Sequence, residues 1–281
     1  MKTIITSDST CDLSPELLEQ FQIRTLPLHV VRPNGEEYFD GVNIKPADIF
    51  RYADEDGKLC STACISVGEY EGVFRAARER GDAVIHLNIG SGFSACHQNA
   101  RIAAEGMDNV FVVDSQNLST GQGNLVLDAA ELALAGERPE QIVKELELRA
   151  SKLETSFVIN TLRYLHMGGR CSAVAALGAN LLKLLPCIEL RGGAMGVGKK
   201  YRGSFEKAIL QYVRDRLTKR DDIDYRRIII TDCMVPEEIR QQVRELVAQL
   251  ADFEVTYGTE AGCAVSTHCG PCCLGILFFR K

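Results

Sequence analysis

Between Asp82 and Glu105 the chain passes from an apolar block, Ala83-Val84-Ile85-His86-Leu87-Asn88-Ile89, through Gly90-Ser91-Gly92-Phe93-Ser94, into a segment of helical character from Ala95 onward. A short, nearly continuous apolar block bounded by glycine reads as a strand buried on both faces. A glycine–serine turn between the end of such a strand and the start of a helix leaves free N–H groups and hydroxyls pointing one way, which is an anion-holding arrangement. The stretch confines the chain to architectures built from strand-to-helix units, and it points to a ligand with a phosphate or carboxylate head.

The rest of the first half repeats the order. Ile4-Ile5-Thr6 leads to the turn Asp8-Ser9-Thr10-Cys11-Asp12, and Ser14-Pro15 opens a short helix with serine as cap and proline in the first turn. Residues 23–31 are expected as a second strand, Pro33-Asn34-Gly35 as a turn, and Glu37-Tyr38-Phe39 as a strand pairing back. Ser66-Val67-Gly68-Glu69 is a capping box that predicts a helix to about Arg80. Val110-Phe111-Val112-Val113 reads as a strand with Asp114-Ser115 at its end, and 125–135 and 139–153 as consecutive helices. Strand–helix alternation implies a parallel, doubly wound sheet with helices on both faces.

The second half reads as a mixed α/β sheet. Residues 156–160 are expected as a strand, Leu162-Arg163-Tyr164-Leu165 as a short helix ending at Gly168-Gly169, and 173–185 as an apolar helix. A hairpin is expected from 187–190 and 197–201, helices at 205–217 and 237–250 around the strand 227–231, and closing strands near 253–257, 263–266 and 274–279. The expected division is 1–152 for the first domain and 153–281 for the second.

With 281 residues, 46% of them hydrophobic, the chain is long enough for a sizeable core. A net charge of -6 argues against a nucleic-acid binder, which needs a basic face. The opening Met1–Asp8 stretch lacks the pattern of a signal peptide, and no apolar run approaches the roughly 18 residues of a membrane span, so a cytoplasmic protein is expected. Eleven cysteines in that setting are expected to be reduced and mostly to serve as small core residues.

Three motifs invite chemical readings. Cys269-Gly270-Pro271-Cys272 has the spacing of a thiol–disulfide redox pair, but that chemistry wants the first cysteine at a helix N-terminus, and residues 273–281 look like a terminal strand rather than a helix. His268, Cys269, Cys272 and Cys273 would make half a zinc site, needing Cys60 and Cys64 for the rest; no metal is expected. Gly193-Ala194-Met195-Gly196-Val197-Gly198-Lys199-Lys200 nearly spells a P-loop, but it lacks the magnesium-binding serine or threonine and the following helix, so a hairpin turn is expected.

Four polar spots fall at strand ends or helix starts: Asp8-Ser9-Thr10, Ser61-Thr62, the 91–94 turn with Ser91 and Ser94, and Asp114-Ser115. Each alone is a common helix cap or turn former. In a parallel sheet the C-terminal strand ends share one rim, where ligands bind, so the four together mark a site. The second half adds Arg170 after Gly168-Gly169 and His268 before the Cys-Gly-Pro-Cys turn.

These residues carry a resemblance that runs in order along nearly the whole chain. Ser7-Asp8-Ser9-Thr10-Cys11-Asp12-Leu13, Thr62 with Ser66 and Gly68-Glu69, the run from Ser91 to Ala100, Val113-Asp114-Ser115, Ser119-Thr120-Gly121, Thr161 to Leu165 with Gly168-Gly169-Arg170, and His268-Cys269-Gly270-Pro271 are similar to motifs of the DegV family of bacterial fatty-acid-binding proteins. The resemblance implies two α/β domains with a fatty acid between them. Thr62 and Ser94 would hold the carboxylate, with Arg170, His268, Ser91 and Ser119 near the head group and the tail in a tunnel of the second domain. It further implies a non-catalytic subunit, without cofactor, that presents the fatty acid to a separate ATP-dependent kinase forming the acyl phosphate. Ala95, Cys96, His97 and Cys272-Cys273 depart from the family pattern beside the proposed head-group site. Lys199, Lys200 and Arg202 would suit an acidic docking partner, although a solvated hairpin accounts for them as well. The rival readings are an oxidoreductase using Cys269 and Cys272, and a phosphate-binding module built on the 90–94 turn.

Overall fold

The computed structural model describes residues 2–170 and 184–281, and has a mixed α/β architecture with one parallel and one mixed sheet. The parallel sheet has the order β2-β1-β6-β7, with β1 at Thr3–Asp8, β2 at Arg24–Leu26, β6 at Ala83–Asn88 and β7 at Val110–Asp114. Every position of β6 is buried, as its unbroken apolar character predicts. The helices α1 (Pro15–Gln20), α3 (Val67–Glu79), α4 (Cys96–Ala103), α5 (Ser119–Leu134) and α6 (Pro139–Ala150) belong to this half. Two of them start on side-chain caps: Ser14 accepts from the Leu17 N–H at α1, and Ser66 and Glu69 form the reciprocal capping box at α3.

The mixed sheet has six strands: β8 (Leu153–Ile159), β9 (Leu184–Arg191), β10 (Ala194–Arg202), β11 (Ile223–Cys233), β12 (Val255–Glu260) and β13 (Cys273–Arg280). Their order is β10-β9-β8-β13-β11-β12, and only β11 and β12 run parallel. Helices α8 (Phe205–Leu217) and α9 (Glu237–Leu250) pack on it and on each other. The short α7 (Arg163–Gly168) ends on Gly169 in the left-handed conformation. The apolar helix expected over 173–185 lies outside the described residues up to 183, and Leu184 and Leu185 open β9 instead.

Two expectations are corrected. Residues 23–31 are not one strand. Pro27 separates β2 from β3 (His29–Val31), which joins β4 (Glu37–Phe39) and β5 (Ser61–Ala63) in a small antiparallel sheet of order β4-β3-β5. Residues 263–266 are not a strand but the start of helix α10 (Cys263–Cys269). A four-residue segment has no usable period, and here two carboxyl groups accept the N–H groups of Gly262 and Cys263 at its amino end and select the helix. A further helix, α2 (Pro46–Asp56), lies between β4 and β5 in the chain.

Helix α5 lies between the two large sheets and packs on β1 and β6 of one and on β8, β11 and β13 of the other. It is buried from Ser119 through Ala130. Gln122 donates to Ser7 Oγ on the first-sheet side, and Asn124 donates to the Leu277 carbonyl on the other. A Cβ on Gly123 would stand 2.5 Å from the Cys11 carbonyl, so only glycine permits this approach.

Candidate functional site

A cavity of about 320 Å³ opens where the rim of the parallel sheet, the small sheet, α10 and the hairpin β9–β10 meet. Leu28, Ile89, Phe93, Phe157, Leu165 and Val265 form much of its wall, and Thr10, Thr62, Ser94, Arg170 and His268 are its polar side chains. The wall is thus mainly apolar with a few polar groups, the usual composition of a small-molecule site.

Thr62 sits on β5 opposite Val30 of β3, and its Oγ1 lies 3.0 Å from Nε2 of His268, 206 positions away on α10. Burial, and next the Arg170 cation, lower the pKa of His268 to about 4, so the ring is neutral at pH 7. Its Nδ1 is buried without a partner among the described residues. Arg170 is exposed and donates to the Gly168 carbonyl at 2.8 Å, at the end of α7.

Ser94 is placed by the turn that follows β6. The Phe93 N–H donates to the Gly90 carbonyl at 2.9 Å and the Gly90 N–H to the Asn117 carbonyl at 2.7 Å. Upstream, the fully buried Asp8 accepts from the Tyr70 hydroxyl at 2.6 Å and the Ile89 N–H at 3.0 Å, which ties the end of β6 to the end of β1. Ser94 Oγ accepts from the Cys96 N–H at 3.2 Å and lies 3.1 Å from Cys96 Sγ. Burial pushes the Cys96 thiol up to about 12, so it stays protonated. A thiol is a weak acceptor, so the Ser94 hydroxyl has little to lose by turning to an incoming oxyanion.

Thr62, Ser94, Arg170 and His268 therefore share one cavity. Ser91 and Ser119 do not line it. Ser91 is exposed, with its N–H and hydroxyl donating to Asp114 at 3.1 and 2.6 Å. Ser119 donates to Asp12 Oδ2 at 2.5 Å and lines a smaller cavity of about 30 Å³. That cavity shares Leu118, Phe157, Val265 and Cys269 with the larger one. Thr10, which stands out in sequence only as part of a polar spot, lines the main cavity and donates to Gln122 Oε1 at 3.0 Å. Phe157, Leu165 and Met195 come from the second half; Phe157 is one apolar residue in an apolar run, and Leu165 and Met195 lie in stretches noted for other reasons, so none was marked as a wall residue.

The tempting motifs resolve as structure. Cys269 is the last residue of α10, at the end of the helix dipole that disfavours a thiolate, and its buried thiol is held well above the usual range. A reactive pair there is not supported. The P-loop-like stretch is the hairpin: Gly192 and Gly193 turn with positive φ, and β10 is paired along β9. Lys199 is paired with Asp215 at 2.5 Å, while Lys200 and Arg202 are exposed. Among the described residues no group of His, Cys, Asp or Glu side chains could hold a metal ion, and no helix is long and apolar enough to cross a membrane.

Comparison with known proteins gives a consistent picture over the full length. A DegV domain-containing protein of Deinococcus radiodurans is 32% identical over 282 residues, covering 98% of each chain, and one of Caldanaerobacter subterraneus is 31% identical over 100% of this chain and 99% of its own. Among solved structures, a DegV family protein from Thermus thermophilus described as fatty acid binding aligns with TM-score 0.88 at 30% identity, covering all of both chains. A stearic acid-binding protein from Eubacterium ventriosum aligns with TM-score 0.86 at 28% identity, covering 100% of this chain and 99% of that one. The family model described as "Uncharacterised protein, DegV family" matches residues 2–281, and the chain belongs to the DegV family.

Proposed function

We propose that this protein binds a long-chain fatty acid in the cavity between its sheets, with the carboxylate at Thr62 and Ser94 and with Arg170 and His268 beside it. The observation that carries this reading is the grouping of those four polar side chains, with Thr10, in one mainly apolar cavity. The fatty-acid-binding relatives from Thermus thermophilus and Eubacterium ventriosum support it. Ser91 and Ser119 act at one remove, holding the 90–94 turn and the wall of the smaller cavity. The tail extends into the half formed by 153–281, the first half being 1–152.

Burying about 15 methylenes at ~0.8 kcal/mol each gives roughly 12 kcal/mol before the cost of binding, so the tail sets affinity and the head group sets orientation. The Ser94 hydroxyl and nearby N–H groups favour the ionised carboxylate, which keeps it nucleophilic. The protein then presents that carboxylate to a separate ATP-dependent kinase, which makes the acyl phosphate; it holds no cofactor and is not a catalyst alone. It works in the cytoplasm, where the ten described cysteines, all free, stay reduced.

Native mass spectrometry of protein purified from bacteria is expected to show a co-purified C14 to C18 fatty acid, and Ser94→Ala is expected to weaken fatty-acid binding by about tenfold. A protein that arrives empty and takes up no fatty acid in solution would overturn the reading.

A further inference from the structure

The amino end of α10 is held by two carboxyl groups that the ligand site does not use. Asp12, in the left-handed conformation with φ 51° just past a short turn of 3-10 helix, accepts from the Gly262 N–H at 2.9 Å through Oδ1 and from Ser119 Oγ at 2.5 Å through Oδ2. Asp40, just after β4, accepts from the Cys263 N–H at 2.6 Å through Oδ1 and from Ser9 Oγ at 2.8 Å through Oδ2. They are only 5% and 3% exposed. A Cβ on Gly262 would stand 2.9 Å from Asp12 Oδ1 and 3.1 and 3.3 Å from the two oxygens of Asp40, so both groups converge on one spot that only glycine leaves open.

The neighbours supply hydrogen-bond donors but no positive charge. Ser9 from the 3-10 turn, Ser119 from α5, Gly262 just before α10 and Cys263 and Ala264 within it donate, and the Cys11 and Cys269 thiols stand nearby. Among the described residues neither carboxyl has a cation within ion-pair distance, and every thiol named here is held in its neutral form by burial or by its neighbours. Two full negative charges this close, out of water and without a counter-charge, are too costly to coexist.

We infer that Asp12 and Asp40 together hold one proton and one negative charge, and that this half-charged pair positions α10 and, through it, His268 against Thr62. The single charge faces the N–H end of the helix, and the shared proton removes the repulsion. Helix α10 also contributes Ala264, Val265 and Cys269 to the cavity wall, so both carboxyls are positioning residues for the ligand site. Burial raises the pKa of both groups, and Asp40 adds to the rise at Asp12, while the Ser119 hydroxyl opposes it. A carboxyl with a raised folded-state pKa contributes stability that is present at low pH and is lost as pH climbs through that value. Loss of the shared proton drives one carboxylate off the helix end and loosens His268.

The consequence for ligand rests on the fatty-acid reading, and the test separates the two. Oleate affinity is measured from about pH 5 to about pH 9 for the full chain and for Asp12→Asn and Asp12→Ala. The unaltered protein is expected to lose about tenfold or more in affinity toward the alkaline end. Asp12→Asn keeps an acceptor oxygen but cannot ionise, so its affinity should stay flat, and Asp12→Ala should bind weakly at every pH. An Asp12→Asn profile that falls as the unaltered protein's does would overturn the inference. Hydrogen exchange at the Gly262 and Cys263 amides of ligand-free protein, corrected for intrinsic base catalysis, gives a second readout. It should accelerate with pH in the unaltered protein and not in Asp12→Asn; equal behaviour also overturns the inference. If oleate binds at no pH, the fatty-acid reading fails while amide exchange still decides the carboxyl pair, and if Asp12→Ala does not fold, Asp12→Asn decides alone.

Discussion

A Cβ at position 168 would stand 2.2 Å from Nδ1 of His268, so the glycine that ends α7 makes room for the imidazole of α10. Gly168→Ala is expected to turn that ring off Thr62, cost about 1–3 kcal/mol in denaturant unfolding and weaken fatty-acid binding; unchanged affinity would remove the ring from the site. The same ring carries a pH signature. Because its folded pKa is depressed to about 4, the unfolded chain takes the proton first as pH drops below about 6.5, and stability declines from there to about 4. A carboxylate arriving beside it should move its titration upward, which ring NMR with and without oleate would show. At this scale the polar lining of the candidate cavity was partly readable. Thr62, Ser94, Arg170 and His268 each lie in a polar spot at the edge of an element, with glycines near the last two, and it is the resemblance that selects Thr62 and Ser94 from those spots. Ser91 carries the same local signal and Ser119 comes from the resemblance alone, yet their hydroxyls are taken by Asp114 and Asp12, and partner choice of that kind depends on contacts that no local pattern encodes.

The elements with strong periodicity or a cap formed where the sequence predicts them, α3 from its capping box and β6 from its unbroken apolar run. Those that failed were short or decided from outside. Helix α10 looks like a strand in sequence because Asp12 and Asp40, more than 220 positions earlier, supply the acceptors that make it a helix. Helix α5 begins six positions before its expected start, since Ser119 to Asn124 are polar or glycine and are buried by contacts to both sheets. The hairpin β9–β10 backs directly onto the 90–94 turn: a Cβ on Gly92 would meet the Gly193 carbonyl at 2.8 Å. Gly92→Ala is expected to push the two elements apart, costing more free energy in fatty-acid binding than in unfolding. An equal loss in both would mean that the contact serves stability alone.

Across the whole molecule the two large sheets are joined by α5 and by a group of charges at its far side. Asp128, 2% exposed, meets Arg149 and Arg226 at 2.5 Å each, and Arg227 as well. Asp128→Ala leaves those guanidinium groups facing one another and is expected to cost about 3–5 kcal/mol in denaturant unfolding, with little change in the ligand bound per folded molecule. A loss below about 1 kcal/mol would show that water or Glu131 takes over the role. At the opposite side lies the pair formed by Thr62 and His268, whose Oγ1 and Nε2 come together across 206 positions of chain. An occupant touching both is a removable tie between distant parts of one polypeptide. On the proposed function its arrival would stiffen the seam and its departure slacken it, so a partner that never touches the occupant would feel through the molecule's compliance whether it is loaded.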